Sequence, residues 1–178
     1  MPPIVSIVGK SNSGKTTLIE GLIKELKLRG YRIATVKHAS RGLTLDKPGK
    51  DSWRHIHAGS SATAISSPGQ LVLIKTVLQT PSLDEVAHFL EDDYDIILAE
   101  GFKHSNVPKI EVYHKEIGLP LSDIHELIAI ATNVPIETTT KQFLLKDVRG
   151  LADFLENNFL KPSNKQTNGR SMQRGAVD

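Results

Sequence analysis

The chain has 178 residues, with 22 basic and 20 acidic side chains and no cysteine. That length fits one α/β domain with a proper core. The nearly balanced charge gives no argument for a nucleic-acid partner. Disulfides and thiol chemistry are excluded, and the lack of thiolates argues against zinc. No apolar run approaches the roughly 18 residues a membrane span needs, and Met1 stands too close to the first strand for a signal peptide. We expect a cytoplasmic protein with no membrane partner.

The first element is an apolar strand, Ile4-Val5-Ser6-Ile7-Val8, running into Gly9-Lys10-Ser11-Asn12-Ser13-Gly14-Lys15-Thr16-Thr17. This is a G-x-x-x-x-G-K-T phosphate loop in its strand–loop–helix context. Lys15 is expected to reach the β- and γ-phosphates and Thr16 to bind Mg²⁺. Backbone N–H groups of the loop and helix would cradle the other phosphate oxygens. Leu18, Ile19, Leu22, Ile23 and Leu26 then form an amphipathic helical stripe, closed by Lys27, Arg29 and the stop residue Gly30.

A second strand is expected over Tyr31–Lys37, then a polar mobile loop from His38 to Lys50. A short helix follows from Asp51 to Ala58, with Gly59 as its stop. Ala62–Ser66 and Gln70–Ile74 flank Ser67-Pro68-Gly69, which predicts a hairpin and hence an antiparallel strand in the sheet. Ser82 is placed to cap a helix through Leu83, Val86, Phe89 and Leu90. Asp95–Glu100 is a buried strand, and Lys109–Tyr113 and Leu127–Ala131 are two more, the latter expected to be central. A last helix covers Lys146–Asn158. Strands alternating with helices predict right-handed crossovers, a mostly parallel sheet and ligands at the strand C-termini. The expected architecture is an α/β, three-layer phosphate-loop NTPase fold over residues 1–161, with a disordered polar tail over 162–178.

Several side chains gather at that C-terminal edge. Glu100 ends its apolar strand where the second acidic residue of a phosphate-loop site holds Mg²⁺. Asp95, at the start of the same strand, should lie about 16 Å away and is no metal ligand. Lys37 and His38 end the second strand. Asp51 could orient a water or metal, and Arg54 could meet phosphate; the alternative for this stretch is a solvated loop with Asp51 as an N-cap. His55 and His57 are two apart, so they face different sides of a helix and do not make a metal pair. Lys103 and Lys109 add cations, with a solvated basic loop as the alternative. Thr132 and Asn133 end the late strand where bases often sit, but Asn133 has one acceptor oxygen, whereas guanine readers normally use a carboxylate. Lys10 matches a loop variant of dimerising nucleotide-dependent proteins, whose lysine enters the partner's site; a solvent-facing side chain is the alternative.

Taken together, GKSNSGKTTL, TVKH, GKDSWRHIHAG, LAEGFK and PKIEV resemble the MobB family of molybdopterin-guanine dinucleotide biosynthesis, over about residues 4 to 160 and in the same order. The resemblance implies a GTP-binding homodimer with weak Mg²⁺-dependent GTPase activity that partners the molybdenum cofactor guanylyltransferase. Molybdopterin itself is a further partner it allows. By position, Gly9, Ser13, Gly14, Lys15, Thr16 and Thr17 would bind nucleotide, and Glu100 would serve Mg²⁺. Lys37, His38, Asp51, Arg54 and Lys103 would line the site. The chain departs from the family where Ala39-Ser40-Arg41 follows the Lys-His pair and where Asn133 replaces a common acidic residue. Two other readings of the same fold stay open: a small-molecule phosphotransferase or ATP-dependent ligase, with the 38–58 loop holding an acceptor, and a regulatory ATPase that dimerises through Lys10. Slow turnover is expected because no arginine finger or water-positioning Gln is evident, although Arg54 could take the former role.

Overall fold

A computed structural model describes residues 1–39, 47–90 and 93–160. Most of the loop expected between His38 and Lys50, and the tail expected from residue 162, lie outside the described residues. The elements run β1 (Ile4–Val8), α1 (Lys15–Leu28), β2 (Ile33–Lys37), α2 (Asp51–His57), β3 (Ala62–Ser67), β4 (Gln70–Lys75), α3 (Leu83–His88), β5 (Ile96–Glu100), β6 (Lys109–Tyr113), a 3₁₀ turn (Lys115–Ile117), β7 (Leu127–Thr132), β8 (Gln142–Leu144) and α4 (Val148–Phe159).

Six strands form one sheet in the order β2-β5-β1-β6-β7-β8, and every neighbouring pair is parallel. Such a sheet is covered on both faces, so its strands read as continuous apolar runs. Alternate residues of β1 and β5 divide between two cores. Val5, Ile7, Ile96 and Leu98 pack with Leu18, Leu22 and Leu26 of α1 and with Leu151 and Leu155 of α4. Ile4, Ile97 and Ala99 pack with Leu83 and Ala87 of α3 on the other side. The three layers are therefore α1 and α4, the sheet, and α3.

Helix ends follow their local chemistry. Ser82 accepts from the Glu85 N–H while the Glu85 carboxylate accepts from the Ser82 N–H, a complete capping box. Arg29 joins α1 to α4 through Glu25 at 3.0 Å and Glu156 and Asp153 at 2.7 Å. The buried Tyr31 hydroxyl donates to the same Glu156 at 2.6 Å.

Four expectations need correction. The hairpin forms, with Ser67 opposite Gln70, but β3 and β4 make a separate two-stranded sheet. Its turn dictates the pairing within the hairpin and says nothing of docking. The hairpin packs with α2, leaving Ile65, Leu71, Val72 and Leu73 exposed. Second, β7 lies one strand in from the edge and β1 and β6 take the middle, because β8 covers only its far side and was too short to show a period. Third, Lys50 precedes the first turn of α2, so Asp51 is helical and caps nothing with its side chain. Fourth, Lys109 is wholly buried, and its ammonium donates to the carbonyls of Ser105, Val107 and His125 at 2.5, 3.0 and 3.0 Å. A cation satisfied in this way is not offered to a ligand.

Candidate functional site

The loop between β1 and α1 is built around glycine. Gly9 has φ +148°, and a Cβ there would lie 2.5 Å from the Val112 carbonyl oxygen, so the loop passes too close to β6 for any side chain. Gly14 takes φ +95° immediately before α1, and that helix starts with neither a side-chain cap nor an acidic residue in its first turn. Its first N–H groups are thus directed into the loop with no side chain competing for them, as an anion site requires. Ser13 is 2% exposed, and its buried hydroxyl has no partner in the protein. A buried polar atom of this kind is where a ligand or water belongs.

The Lys15 ammonium folds back over the loop and donates to the carbonyls of Gly9 at 3.0 Å and Lys10 at 2.7 Å. Burial lowers its pKa, and Lys37 adds to that, while the Glu100 carboxylate opposes it. Thr16 donates to both oxygens of Glu100, at 3.1 and 3.2 Å. The parallel register places Ile7 of β1 and Lys37 of β2 opposite Glu100, and the Lys37 ammonium lies 3.3 Å from its Oε1. The end of β5 is pinned by three bonds. The Gly101 N–H donates to the Ile7 carbonyl at 3.0 Å, the His38 N–H to the Glu100 carbonyl at 3.0 Å, and the buried Ser6 hydroxyl to the Gly101 carbonyl at 2.5 Å. Asp95 lies at the other end of the strand, accepting from the Arg32 N–H.

Thr16 and Glu100 fit Mg²⁺ in one respect: they bring a hydroxyl and a carboxylate, both hard oxygen donors, to one point beside the loop. Among the described residues no group of three His, Asp or Glu side chains could hold a metal by itself. A cation here would complete its shell with water or with oxygens of a bound phosphate.

Beside Glu100 the chain opens a cavity of about 690 Å³, lined by His38, Leu83, Phe102, Lys103, His104 and Val107 among others. The His38 and Phe102 rings meet edge to face at 5.2 Å. Phe102 has φ +55°, a conformation costing a bulky residue about 1–3 kcal/mol and held only where its surroundings enforce it. Here the Ser105 N–H and hydroxyl both donate to the Phe102 carbonyl.

The structure thus brings Lys15, Thr16, Glu100, Lys37, His38 and Lys103 to one edge. Ser11, Asn12, Thr17 and Lys10 are exposed on or beside the loop. Asp51 and Arg54 stand apart on α2: they pair with each other at 3.7 Å, and Asp51 lines a groove against Thr63 and Ile65 of the hairpin. Among the described residues neither makes a hydrogen bond or ion pair with the phosphate loop. Thr132 spends its buried hydroxyl on the Val134 backbone, donating to the carbonyl at 2.6 Å and accepting from the N–H at 3.2 Å.

Sequence reasoning missed Glu111. It is 2% exposed on β6, opposite Val8, and accepts from the Leu121 N–H at 2.7 Å. Burial raises its pKa, opposed by that hydrogen bond and by Lys10 and Lys103. The signal was present in PKIEV, as a carboxylate inside an otherwise apolar strand.

The family model described as molybdopterin guanine dinucleotide synthesis protein B matches residues 4–133. The chain belongs to the MobB family. It is 38% identical over 157 residues to the molybdopterin-guanine dinucleotide biosynthesis adapter protein of Haemophilus influenzae, covering 87% of this chain and 88% of that one. Its Escherichia coli counterpart is 34% identical over 164 residues, covering 87% and 92%. The crystal structure of Bacillus subtilis MobB superposes with a TM-score of 0.70 at 31% identity, covering 90% of this chain and 99% of that one. These MobB structures share the mostly parallel phosphate-loop sheet. No helix among the described residues is long and apolar enough to cross a membrane.

Proposed function

We propose that this chain is an adapter protein of molybdopterin-guanine dinucleotide biosynthesis that binds GTP with Mg²⁺ and assists the guanylyltransferase in the cytoplasm. The observation that carries this reading is the meeting of the Thr16 hydroxyl and Glu100 carboxylate at 3.1 Å beside an uncapped helix N-terminus. The Lys15 ammonium exchanges the two loop carbonyls for β- and γ-phosphate oxygens. The α1 N–H groups and the Ser13 hydroxyl take the remaining phosphate contacts. Mg²⁺, when bound with the nucleotide, neutralises charge on the phosphate oxygens. Lys37 balances the Glu100 carboxylate and holds its place.

Turnover in this reading is slow. No arginine among the described residues contacts the loop, and an arginine finger is worth about 10³–10⁵ in rate. Holding the nucleotide for a partner is the role left. The exposed apolar residues of the hairpin support a homodimer, since a lone two-stranded hairpin is marginal in water. The cavity beside Glu100 is the place this reading gives to molybdopterin.

Calorimetry with GTP, GDP and ATP, in Mg²⁺ and in EDTA, tests the proposal. Mg²⁺-dependent GTP binding that disappears in Lys15→Ala is the expected result, with light scattering reporting a dimer. Retained micromolar binding by Lys15→Ala removes the phosphate-loop reading. The same cavity favours a second reading, a phosphotransferase with its acceptor beside Glu100. Rapid ATP turnover stimulated by one member of a metabolite panel would select it.

A further inference from the structure

The amide of Asn133, at the end of β7, is already spent. Its Oδ1 accepts from the Lys115 N–H at 3.0 Å and its Nδ2 donates to Glu116 Oε2 at 2.8 Å. To meet a base with its one acceptor, Asn133 would have to release the 3₁₀ turn that follows β6. The turn instead presents a carboxylate of its own. The Glu116 side chain is 67% exposed, and its Oε2 also lies 2.5 Å from His114 Nδ1. Both contacts fall on Oε2, and Oε1 carries neither. Hydrogen bonds from its own backbone N–H and from Asn133 keep the Glu116 pKa below the ordinary carboxylate value, so the group is charged at neutral pH.

Its place in the fold suits a nucleoside. Thr16 meets Glu100 on the β5 side of β1, which sets the terminal phosphates and metal on that side. The rest of a nucleotide then extends toward β6 and β7, one and two strands away, or about 5–10 Å. The turn also abuts the phosphate loop, because Lys10 and Ser13 share a wall with His114, Ile117 and Gly118.

Building on the GTP reading above, we propose that Glu116, braced by Asn133, reads the base and selects a 2-amino-6-oxopurine. Guanine offers two adjacent donors, N1–H and the exocyclic N2 amine, and a carboxylate accepts both. Oε1 takes one donor directly, and Oε2 takes the other as His114 gives way. Adenine presents an acceptor at N1 and meets the carboxylate with repulsion. Asn133 is a positioning residue in this arrangement, which accounts for an amide at the end of β7.

The test is calorimetry of the full chain and Glu116→Gln with GTP, ITP, XTP and ATP in Mg²⁺. Hydrogen bonds to a charged group set the scale. The wild type should bind GTP about 10-fold or more tighter than ITP, which lacks the N2 amine, and tighter still than ATP. Glu116→Gln should lose about 10–100-fold for GTP and gain for XTP, whose C2 oxygen accepts from the new amide. A gain of this kind cannot come from misfolding. If Glu116→Gln binds all four nucleotides as the wild type does, while Lys15→Ala loses them, the base-reading inference fails and the phosphate-loop reading stands. If the wild type binds no nucleotide, both fall.

Discussion

The two loop glycines should respond very differently to one methyl group. At Gly9 an added Cβ would stand 2.5 Å from the Val112 carbonyl oxygen and 2.7 Å from Ser13 Oγ, distances below the 3.0 Å that real Cβ atoms respect. The Ser13 hydroxyl can rotate, but the Val112 carbonyl belongs to β6, whose register against β1 sets Glu111 opposite Val8. Relief therefore requires β1 and β6 to separate. Overpacking costs about 1–3 kcal/mol, and a φ of +148° adds about 1–3 kcal/mol for a residue other than glycine. We expect Gly9→Ala to cost about 4 kcal/mol in all. At Gly14 a Cβ would meet nothing within 4 Å, so only the left-handed backbone counts, about 1–2 kcal/mol. For a domain of this size the melting temperature falls about 2–4 °C per kcal/mol. Gly9→Ala should thus melt about 8–16 °C lower and Gly14→Ala about 2–8 °C lower. Calorimetric melting and urea titration of both variants measure the gap. Equal losses, or a Gly9→Ala cost below about 1 kcal/mol, would refute the close approach of loop and strand.

Two pH effects follow from buried acids. Burial raises the Glu111 pKa, so its protonated form is favoured by folding and stability is lost as pH rises through the carboxylate range. Glu111→Gln keeps an oxygen for the Leu121 N–H and should be more stable than wild type at pH 7 in urea titrations. The advantage should fade toward pH 4; a variant less stable at pH 7 would show that Lys10 and Lys103 outweigh burial. Tyr31 donates to Glu156, which pushes its pKa up to about 12 from 10.0. Its contribution is complete below pH 10 and disappears as pH rises toward 12, on the order of 2 kcal/mol. Wild type minus Tyr31→Phe, measured from pH 8 to 11.5, should hold level to about pH 10 and shrink above it, and a constant difference throughout would count against the Tyr31–Glu156 bond.

What was legible in the sequence had a local code. The phosphate loop carries its conformation in two glycines and its chemistry in Lys15 and Thr16. Glu100 was readable because an apolar strand ends on it, and Ser82 because the helical stripe of Leu83, Val86, Phe89 and Leu90 follows it. The hairpin turn was equally plain. Its separation from the main sheet was not, since docking depends on surfaces far apart in the chain. Lys109 looked like one more cation at the ligand edge; only the folded chain shows three carbonyls closing on it. The partnership of Glu116 with Asn133 spans 17 residues and a strand, and no periodicity announces it. Asp51 and Arg54, readable as site residues by motif, lie on a helix that packs with the hairpin.

The strand order also constrains how the protein is made. The central strand β1 is synthesised before every other strand of its sheet, yet its neighbours are β5 and β6, and Ser6 pairs with Ala99 and Lys109. The hairpin closes within residues 62–75, so it can form early as a local unit. The packed surroundings of the phosphate loop cannot: the Val112 backbone that lies against Gly9 arrives only after most of the chain has been synthesised. Long-range parallel pairing of this kind folds slowly and leaves apolar strands uncovered in the interval. During translation, the apolar segment Ile4–Val8 stays without its strand partners until β5 and β6 have both been added.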